Sequence, residues 1–162
     1  MMLVMPGPRR RVKKLDQFNR VDQSRESQLN GALELMHFGF RRFIQTPDRI
    51  LARYRFGRLH HRVLYFVGRN PGLSVGELLR ILGITKQALH RPLRDLTDGA
   101  WVESRPAPHS RRMKLLTLSR KGMRLETQLS GDQRARFDRV FRAVGPAAER
   151  AWREVMRRVA EP

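Results

Sequence analysis

The feature that most constrains this chain is a pair of short amphipathic helices joined by a turn of about three residues. The first helix is predicted to begin at a capping box, in which Ser74 and Glu77 each bond the other's backbone amide. Gly83 ends that helix, and Thr85 is the predicted N-cap of the second, which ends near Asp98. The inward faces of the two helices are apolar, at Val75, Leu78, Leu79, Leu82, Leu89, Leu93 and Leu96. This arrangement is typical of a helix-turn-helix.

Two short strands are predicted directly after the helix pair. Residues 101–104 and 113–118 carry the strand pattern, and residues 105–112 between them form a predicted basic loop containing turn residues. Ser119 then caps a long helix, which is separated from a last helix by Gly145 and Pro146. These two helices carry apolar stripes at Leu125, Leu129, Phe137, Val140, Phe141, Val144, Trp152, Val155 and Val159. A helix pair followed by a basic hairpin predicts a winged helix-turn-helix.

The N-terminal part of the chain divides into a basic arm and two helices. Residues 1–25 are basic and poor in large apolar side chains, which predicts a flexible arm. The next helix has a stripe at Leu29, Leu33, Met36, Phe40 and Phe43, and it is expected to end before Thr46 and Pro47 because proline disfavours continuation. A further helix is predicted from about Arg53 to Gly68.

These elements predict a mainly α fold with a small β-hairpin wing. In this interpretation, residues 26–52 form an N-terminal helix and residues 53–118 form the winged helix-turn-helix domain. Residues 119–162 form the C-terminal helices.

The charge balance points to a polyanionic partner. The 162 residues include 34 Lys and Arg, most of them Arg, against 15 Asp and Glu, which gives a formal net charge of +19. Nucleic acid is the first candidate and an anionic membrane surface the second. The absence of Cys excludes disulfides and thiolate chemistry. No apolar run is long enough to span a membrane or to form a signal peptide, so we expect a cytoplasmic protein. Of the two candidate polyanions we expect nucleic acid, and not a membrane, to be the partner.

The second helix of the pair divides into an apolar and a polar face. Its outward residues are suited to base edges and phosphates, and its N-terminal amides add a site for a phosphate. Arginines at the hairpin tip suit a narrow minor groove. The predicted DNA-contacting residues are Ser74, Thr85, Lys86, Gln87, His90, Arg91, Arg94, Arg111, Arg112 and Lys114.

Residues 53–125 resemble the MarR family of winged-helix regulators. The resemblance rests on residues 73–79 (LSVGELL), 82–89 (LGITKQAL), 93–96 (LRDL), 101–102 (WV), 111–112 (RR) and 116–122 (LTLSRKG). It implies a recognition helix from Thr85 to Arg94 and a wing at Arg111 and Arg112. It also implies a two-fold dimer, with residues 26–52 as the N-terminal dimerisation helix and residues 119–162 as the C-terminal dimerisation helices. Two recognition helices would then address half-sites about 34 Å apart.

Two positions depart from the family pattern. Ser110 stands where the family usually has an acid that orients the wing arginines, so a looser wing is expected. Pro92 lies inside the recognition helix, removes the bond to the Ala88 carbonyl and predicts a kink.

Members of this family often bind small aromatic acids, which implies a ligand site at His37, Arg41, His60 and Arg62. His60 and His61 are adjacent, so on a helix they point about 100° apart, and we expect no metal site and no cofactor. The chain has no Gly-x-Ser-x-Gly, P-loop or Rossmann pattern and no clustered carboxylates, so we expect no enzymatic activity.

The leading hypothesis is a homodimeric transcriptional repressor that binds a pseudo-palindromic operator in double-stranded DNA and is released by a small ligand. A structural RNA- or ribosome-associated winged-helix protein is the alternative, because RNA could use the same charges. A basic enzyme acting on nucleic acid is the second alternative.

Overall fold

The computed structural model describes residues 25–161, except for the side chain of Arg111. Residues 1–24 of the predicted basic arm therefore lie outside the described residues. The elements are α1 (Arg25–Ala52), α2 (Arg58–Arg69), β1 (Leu73–Ser74), α3 (Val75–Leu82), α4 (Lys86–Asp98), β2 (Val102–Ala107), β3 (Ser110–Leu118), α5 (Arg120–Val144) and α6 (Pro146–Ala160). In this described part, no helix is long and apolar enough to cross a membrane.

The chain divides into two compact units, Met1–Arg42 and Phe43–Pro162. The described part of the first unit is the N-terminal part of α1. This part leaves large apolar side chains exposed, at Leu29, Leu33, Leu35, Met36, Phe38 and Phe40. The part of the predicted amphipathic stripe that lies here, from Leu29 to Phe40, is exposed to solvent among residues 25–42.

The second unit holds the hydrophobic core, which lies under the helix pair and the sheet. Its buried residues come from every layer: Leu51, Val63, Leu64, Val67, Leu78, Leu89, Leu96, Trp101, Val102, Leu116, Leu125 and Leu129. The sheet is antiparallel with the order β1-β3-β2. Leu116 of β3 pairs with Leu73 on one side and with Ser104 on the other. The predicted fold class, mainly α with a small wing, is confirmed, and β1 was missed because two residues carry no periodicity.

The prediction that the first helix ends before Thr46 and Pro47 is wrong. α1 continues through Pro47 to Ala52, and the side chain of Pro47 is buried. Proline has no N–H to donate to the Phe43 carbonyl one turn earlier. That carbonyl instead accepts a hydrogen bond from Gln133 Nε2 of α5, at 3.4 Å. A distant side chain therefore replaces the lost backbone donor, and burial of the proline ring adds apolar contact.

The start of the next helix was also predicted wrongly, because α2 begins at Arg58 rather than Arg53. The connection closes as a turn, in which the amides of Tyr54 and Phe56 both donate to the Leu51 carbonyl. Arg55 adopts φ +57°, a left-handed conformation that no helix contains.

The wing strands are longer than the sequence pattern indicates. β2 ends at Ala107 and β3 begins at Ser110. The predicted loop at residues 105–112 is therefore reduced to a turn at Pro108 and His109. The register shifts between Pro106 and Ala107, which accommodates a proline in the strand. The predicted break at Gly145 and Pro146 is confirmed, with Pro146 as the first residue of α6.

Candidate nucleic-acid interface

The turn between α3 and α4 has the geometry that the sequence predicts. Ser74 Oγ accepts from the Glu77 amide at 3.2 Å, and Glu77 Oε2 accepts from the Ser74 amide at 2.9 Å. The Ser74 hydroxyl, which donates to Glu77 Oε2 at 2.6 Å, and the Ser74 amide lower the pKa of the Glu77 carboxyl below its ordinary value. Gly83 ends α3 in the left-handed region at φ +61°, and Thr85 Oγ1 caps α4 by accepting from the Ala88 amide at 3.2 Å. Both predicted caps are confirmed.

α4 buries one face and presents a cationic face to solvent. Leu89 and Leu96 are 1% and 0% exposed and anchor the helix in the core. The outward residues are all exposed: Lys86, Gln87, His90, Arg91 and Arg94. Among the described residues, the one carboxylate within ion-pair distance of this face is Asp95, whose Oδ2 lies 3.9 Å from Arg91 Nε. This face is therefore available to a polyanion.

Pro92 does not interrupt α4, which runs continuously from Lys86 to Asp98. The Ala88 carbonyl loses its helical donor, but Ala88 is exposed, so water can bond it. The kink expected at Pro92 stays a prediction.

Two of the predicted DNA-contacting residues have hydroxyls that already serve as helix caps. Ser74 is 9% exposed, and its hydroxyl donates to Glu77 Oε2 at 2.6 Å. Its low exposure does not favour the predicted contact with DNA, which stays a prediction. Thr85 is exposed, and its hydroxyl accepts one bond but retains its own hydrogen as a donor.

The wing carries exposed cations on two neighbouring strands. Arg112 and Lys114 of β3 are exposed, and Arg105 of β2 is held by Glu103 Oε2 at 2.9 Å. Ser110 Oγ accepts from the Met113 amide at 3.3 Å, so this residue organises the backbone of the wing tip. The backbone of Arg111 lies in β3, while its side chain is outside the described part.

The base of the wing is fastened to the first turn of α5 by contacts that the sequence analysis did not identify. Ser119 Oγ donates to the Ala100 carbonyl at 2.7 Å, and Lys121 Nζ donates to the Gly99 carbonyl at 2.8 Å. The same ammonium lies 3.9 Å from the centre of the Trp101 ring. Gly122 approaches the Trp101 carbonyl so closely that a Cβ would lie 2.0 Å from its oxygen. The sequence feature that indicates these contacts is the Ser-Arg-Lys-Gly run at residues 119–122, directly after β3.

The adjacent histidines of α2 contact different elements. His60 is 8% exposed and its Nε2 lies 3.2 Å from Asp95 Oδ2 of α4, whereas His61 Nε2 lies 3.1 Å from Ser130 Oγ of α5. Burial lowers the pKa of His61, and the nearby carboxylate of Glu126 partly opposes this effect. Within residues 25–161, no group of three His, Asp or Glu side chains is placed to hold a metal ion.

The four residues of the implied ligand site lie on α1 and α2. His37 and Arg41 are exposed on one face of α1, and the His37 ring packs edge-on against Phe38. Arg62 is exposed on α2, but both ring nitrogens of His60 are engaged, with Gly57 and Asp95. His60 therefore has no nitrogen left for a ligand in this conformation, and the ligand site as a whole stays a prediction.

The sequence resembles those of known transcriptional regulators. The sequence profile of the MarR family matches residues 56–113. The HTH-type transcriptional regulator PetP of Rhodobacter capsulatus is 43% identical over 137 residues, which cover 85% of this chain and 82% of that protein.

Solved structures share this fold. The crystal structure of a MarR-family transcriptional regulator from Silicibacter pomeroyi superposes with a TM-score of 0.68 at 21% identity, over 85% of this chain and 94% of that one. The PcaV transcriptional regulator of Streptomyces coelicolor, crystallised with its natural ligand, gives a TM-score of 0.53 at 25% identity, over 74% and 87% of the two chains.

Proposed function

The chain belongs to the MarR family of transcriptional regulators and is not an enzyme; from this premise, we propose that it represses transcription by binding an operator in double-stranded DNA as a homodimer. The observation that carries the proposal is the exposed cationic face of α4, which begins at a capped N-terminus and is held by two buried leucines. A helix presented in this way fits the major groove, which is about 12 Å wide. Regulation of transcription takes place where the DNA is, so we propose a cytoplasmic location.

The residues of α4 have complementary tasks in this proposal. Gln87 and Arg91 lie one helical turn apart. The Gln87 amide offers one donor and one acceptor, which match N7 and the N6 amino group of adenine, and the Arg91 guanidinium offers paired donors for N7 and O6 of guanine. Lys86 and the N-terminal amides of α4 suit a backbone phosphate. Arg112 and Lys114 extend the positive surface along the wing, toward the minor groove beside the recognition helix.

Exposed apolar residues support the homodimer. The N-terminal part of α1 leaves Leu33 66% exposed and Met36 56% exposed. In the second unit, α6 leaves Val155 57% and Val159 61% exposed. Apolar stripes of this kind on helices at both ends of a chain need a partner surface, and a second copy supplies the same stripes by two-fold symmetry. A dimer also explains a pseudo-palindromic operator, with half-sites about 34 Å apart.

A small-molecule effector is the finer part of the proposal. PcaV, a structural neighbour of this chain, was crystallised with its natural ligand. The resemblance to the MarR family implies a ligand-binding role for His37, Arg41 and Arg62, and each of these side chains is exposed. Titration with such acids, followed by loss of a DNA gel shift, tests this part separately from DNA binding.

The main experiment is selection of bound duplexes from a random pool, followed by a search for two-fold symmetry in the selected sequences. A symmetric site with half-sites one helical turn apart is expected. Competition at matched salt then compares the selected duplex with RNA of the same length. Preferential binding of RNA would overturn the proposal and favour the RNA-associated alternative.

Two variants test the assigned contacts. Arg91→Ala should weaken the free energy of binding to the selected duplex by about 1–3 kcal/mol and relax the sequence preference at one base position. Arg112→Ala should weaken binding to all duplexes and lower the slope of log K against log salt by about one unit. Arg150→Ala, which removes one exposed charge from α6, is the matched control and should leave both quantities unchanged. Equal loss on all sequences for Arg91→Ala would contradict base reading.

A further inference from the structure

Asp95 lies on α4 between a buried partner and an exposed one. Its Oδ2 atom is 3.2 Å from Nε2 of His60 and 3.9 Å from Nε of Arg91. The His60 side chain is 10% exposed, the Asp95 side chain 34% and the Arg91 side chain 87%. The carboxylate therefore connects the interior of the domain to a side chain at the proposed DNA surface.

His60 can play only one role toward Asp95. Its Nδ1 accepts a hydrogen bond from the Gly57 amide at 3.0 Å, so in the neutral ring Nε2 carries the hydrogen and donates to the carboxylate. The ring also stacks on Phe56, with centroids 4.5 Å apart and planes inclined by 8°. A donor held by the start of α2 and by an aromatic neighbour is rigid, so the Asp95 side chain is anchored.

A carboxylate beside an exposed arginine affects DNA binding in two ways. It restricts the guanidinium to orientations that keep the ion pair, which favours directed contact with a base edge. It also places a negative charge near the DNA backbone, which weakens binding to sequences that offer phosphate contacts alone. Both effects widen the gap between specific and non-specific duplexes.

We infer that Asp95 is a positioning residue that determines sequence specificity: anchored by His60, it orients Arg91 on α4 without itself contacting a base. The inference rests on the proposed function, since it needs α4 to read DNA. Because the Asp95–Arg91 pair is exposed and long, we expect its loss to lower the preference for the selected duplex over a scrambled one by about two- to five-fold.

The test compares duplex selection from a random pool by the wild-type protein and by Asp95→Asn. The wild-type-selected duplex, single-base variants of it and a scrambled duplex are then titrated with each protein. Asp95→Asn should lose preference at the base position that Arg91→Ala also relaxes, and should bind the scrambled duplex more tightly. In an Arg91→Ala background, Asp95→Asn should leave base preference unchanged.

Two further variants separate charge from anchoring. Asp98→Asn removes an exposed carboxylate from the end of the same helix and should leave base preference unchanged. His60→Gln retains the Asp95 charge but removes its rigid donor, so preference should fall without tighter binding to the scrambled duplex. Urea unfolding of each variant, followed by circular dichroism, measures any loss of stability.

The outcomes distinguish the inference from the proposed function. A wild-type protein that selects no sequence overturns the proposed function and this inference together. A wild-type protein that selects a site, with Asp95→Asn selecting the same site at unchanged preference, overturns the inference alone. A parallel loss of affinity for all duplexes that follows the loss of stability would assign Asp95 a purely structural role and would also overturn it.

Discussion

Gly122→Ala should destabilise the protein strongly, although alanine is the better helix former. Gly122 lies buried in the first turn of α5, and its amide donates to Ser119 Oγ at 3.0 Å. A Cβ at this position would lie 2.0 Å from the Trp101 carbonyl oxygen and 3.0 Å from its carbon. These are backbone atoms, so no side-chain rotation relieves the contact, and the two segments would have to separate by about 1 Å.

The magnitude follows from the contacts that such a separation disturbs. Overpacking in a well-packed core costs about 1–3 kcal/mol. The bonds from the Ser119 amide to the Trp101 carbonyl (3.1 Å) and from Ser119 Oγ to the Ala100 carbonyl (2.7 Å) would lengthen, at about 1 kcal/mol each. The higher helix propensity of alanine offsets about 1 kcal/mol of this loss. The expected net loss in the free energy of unfolding is about 2–4 kcal/mol.

Equilibrium urea unfolding at fixed protein concentration measures this loss, with an unchanged m value as the sign that both states keep their compactness. Gly131→Ala is the matched control, because Gly131 lies in the same helix and a Cβ there meets nothing within 4 Å. That substitution should stabilise the protein by about 0.4–1 kcal/mol. If Gly122→Ala were as stable as Gly131→Ala, the close approach of α5 to the wing base would be refuted.

Three further predictions concern positions outside the wing base. Gln133→Ala should lower the free energy of unfolding by about 1 kcal/mol in the wild type but by almost nothing in the Pro47→Ala variant, because the alanine amide can itself bond the Phe43 carbonyl. If the losses of the two substitutions were additive in urea unfolding, this role of Gln133 would be contradicted. Since burial lowers the pKa of His61, the unfolded chain binds the proton more tightly, so stability should be lost as the pH falls below about 6.5. His61→Gln should lose less stability between pH 7.5 and 5.5 in the same assay, and an identical loss would refute the assignment. Thr85→Ala should cost about 1 kcal/mol through loss of the α4 cap, whereas Thr85→Ser should cost little; equal urea midpoints for the two variants would contradict the cap.

Local patterns predicted the helix-turn-helix well because the signals and the contacts that enforce them are close in sequence. The caps at Ser74, Thr85 and Ser119 each bond an amide three residues ahead, so three or four letters are sufficient to recognise them. The outward face of α4 follows from leucine spacing alone, and the burial of Leu89 and Leu96 agrees with it. The same reasoning correctly separated α5 from α6 at Gly145.

Long-range contacts decided the features that the sequence analysis missed. Pro47 ends a helix by local rules, yet α1 continues because Gln133, distant in the chain, supplies a donor to the Phe43 carbonyl. His60 was a predicted ligand contact, but in the fold its Nε2 lies beside the Asp95 carboxylate. The requirement for glycine at position 122 likewise depends on the approach of Trp101.

Helix caps, apolar faces and the cationic surface could be predicted from the residues, since each depends on neighbours within one or two turns. The pairing of polar groups could not, because the segments that surround a buried donor lie far from it along the chain. The cationic face of α4 follows from residues 86–94 alone, whereas the contact between Asp95 of α4 and His60 of α2 depends on how the two helices pack.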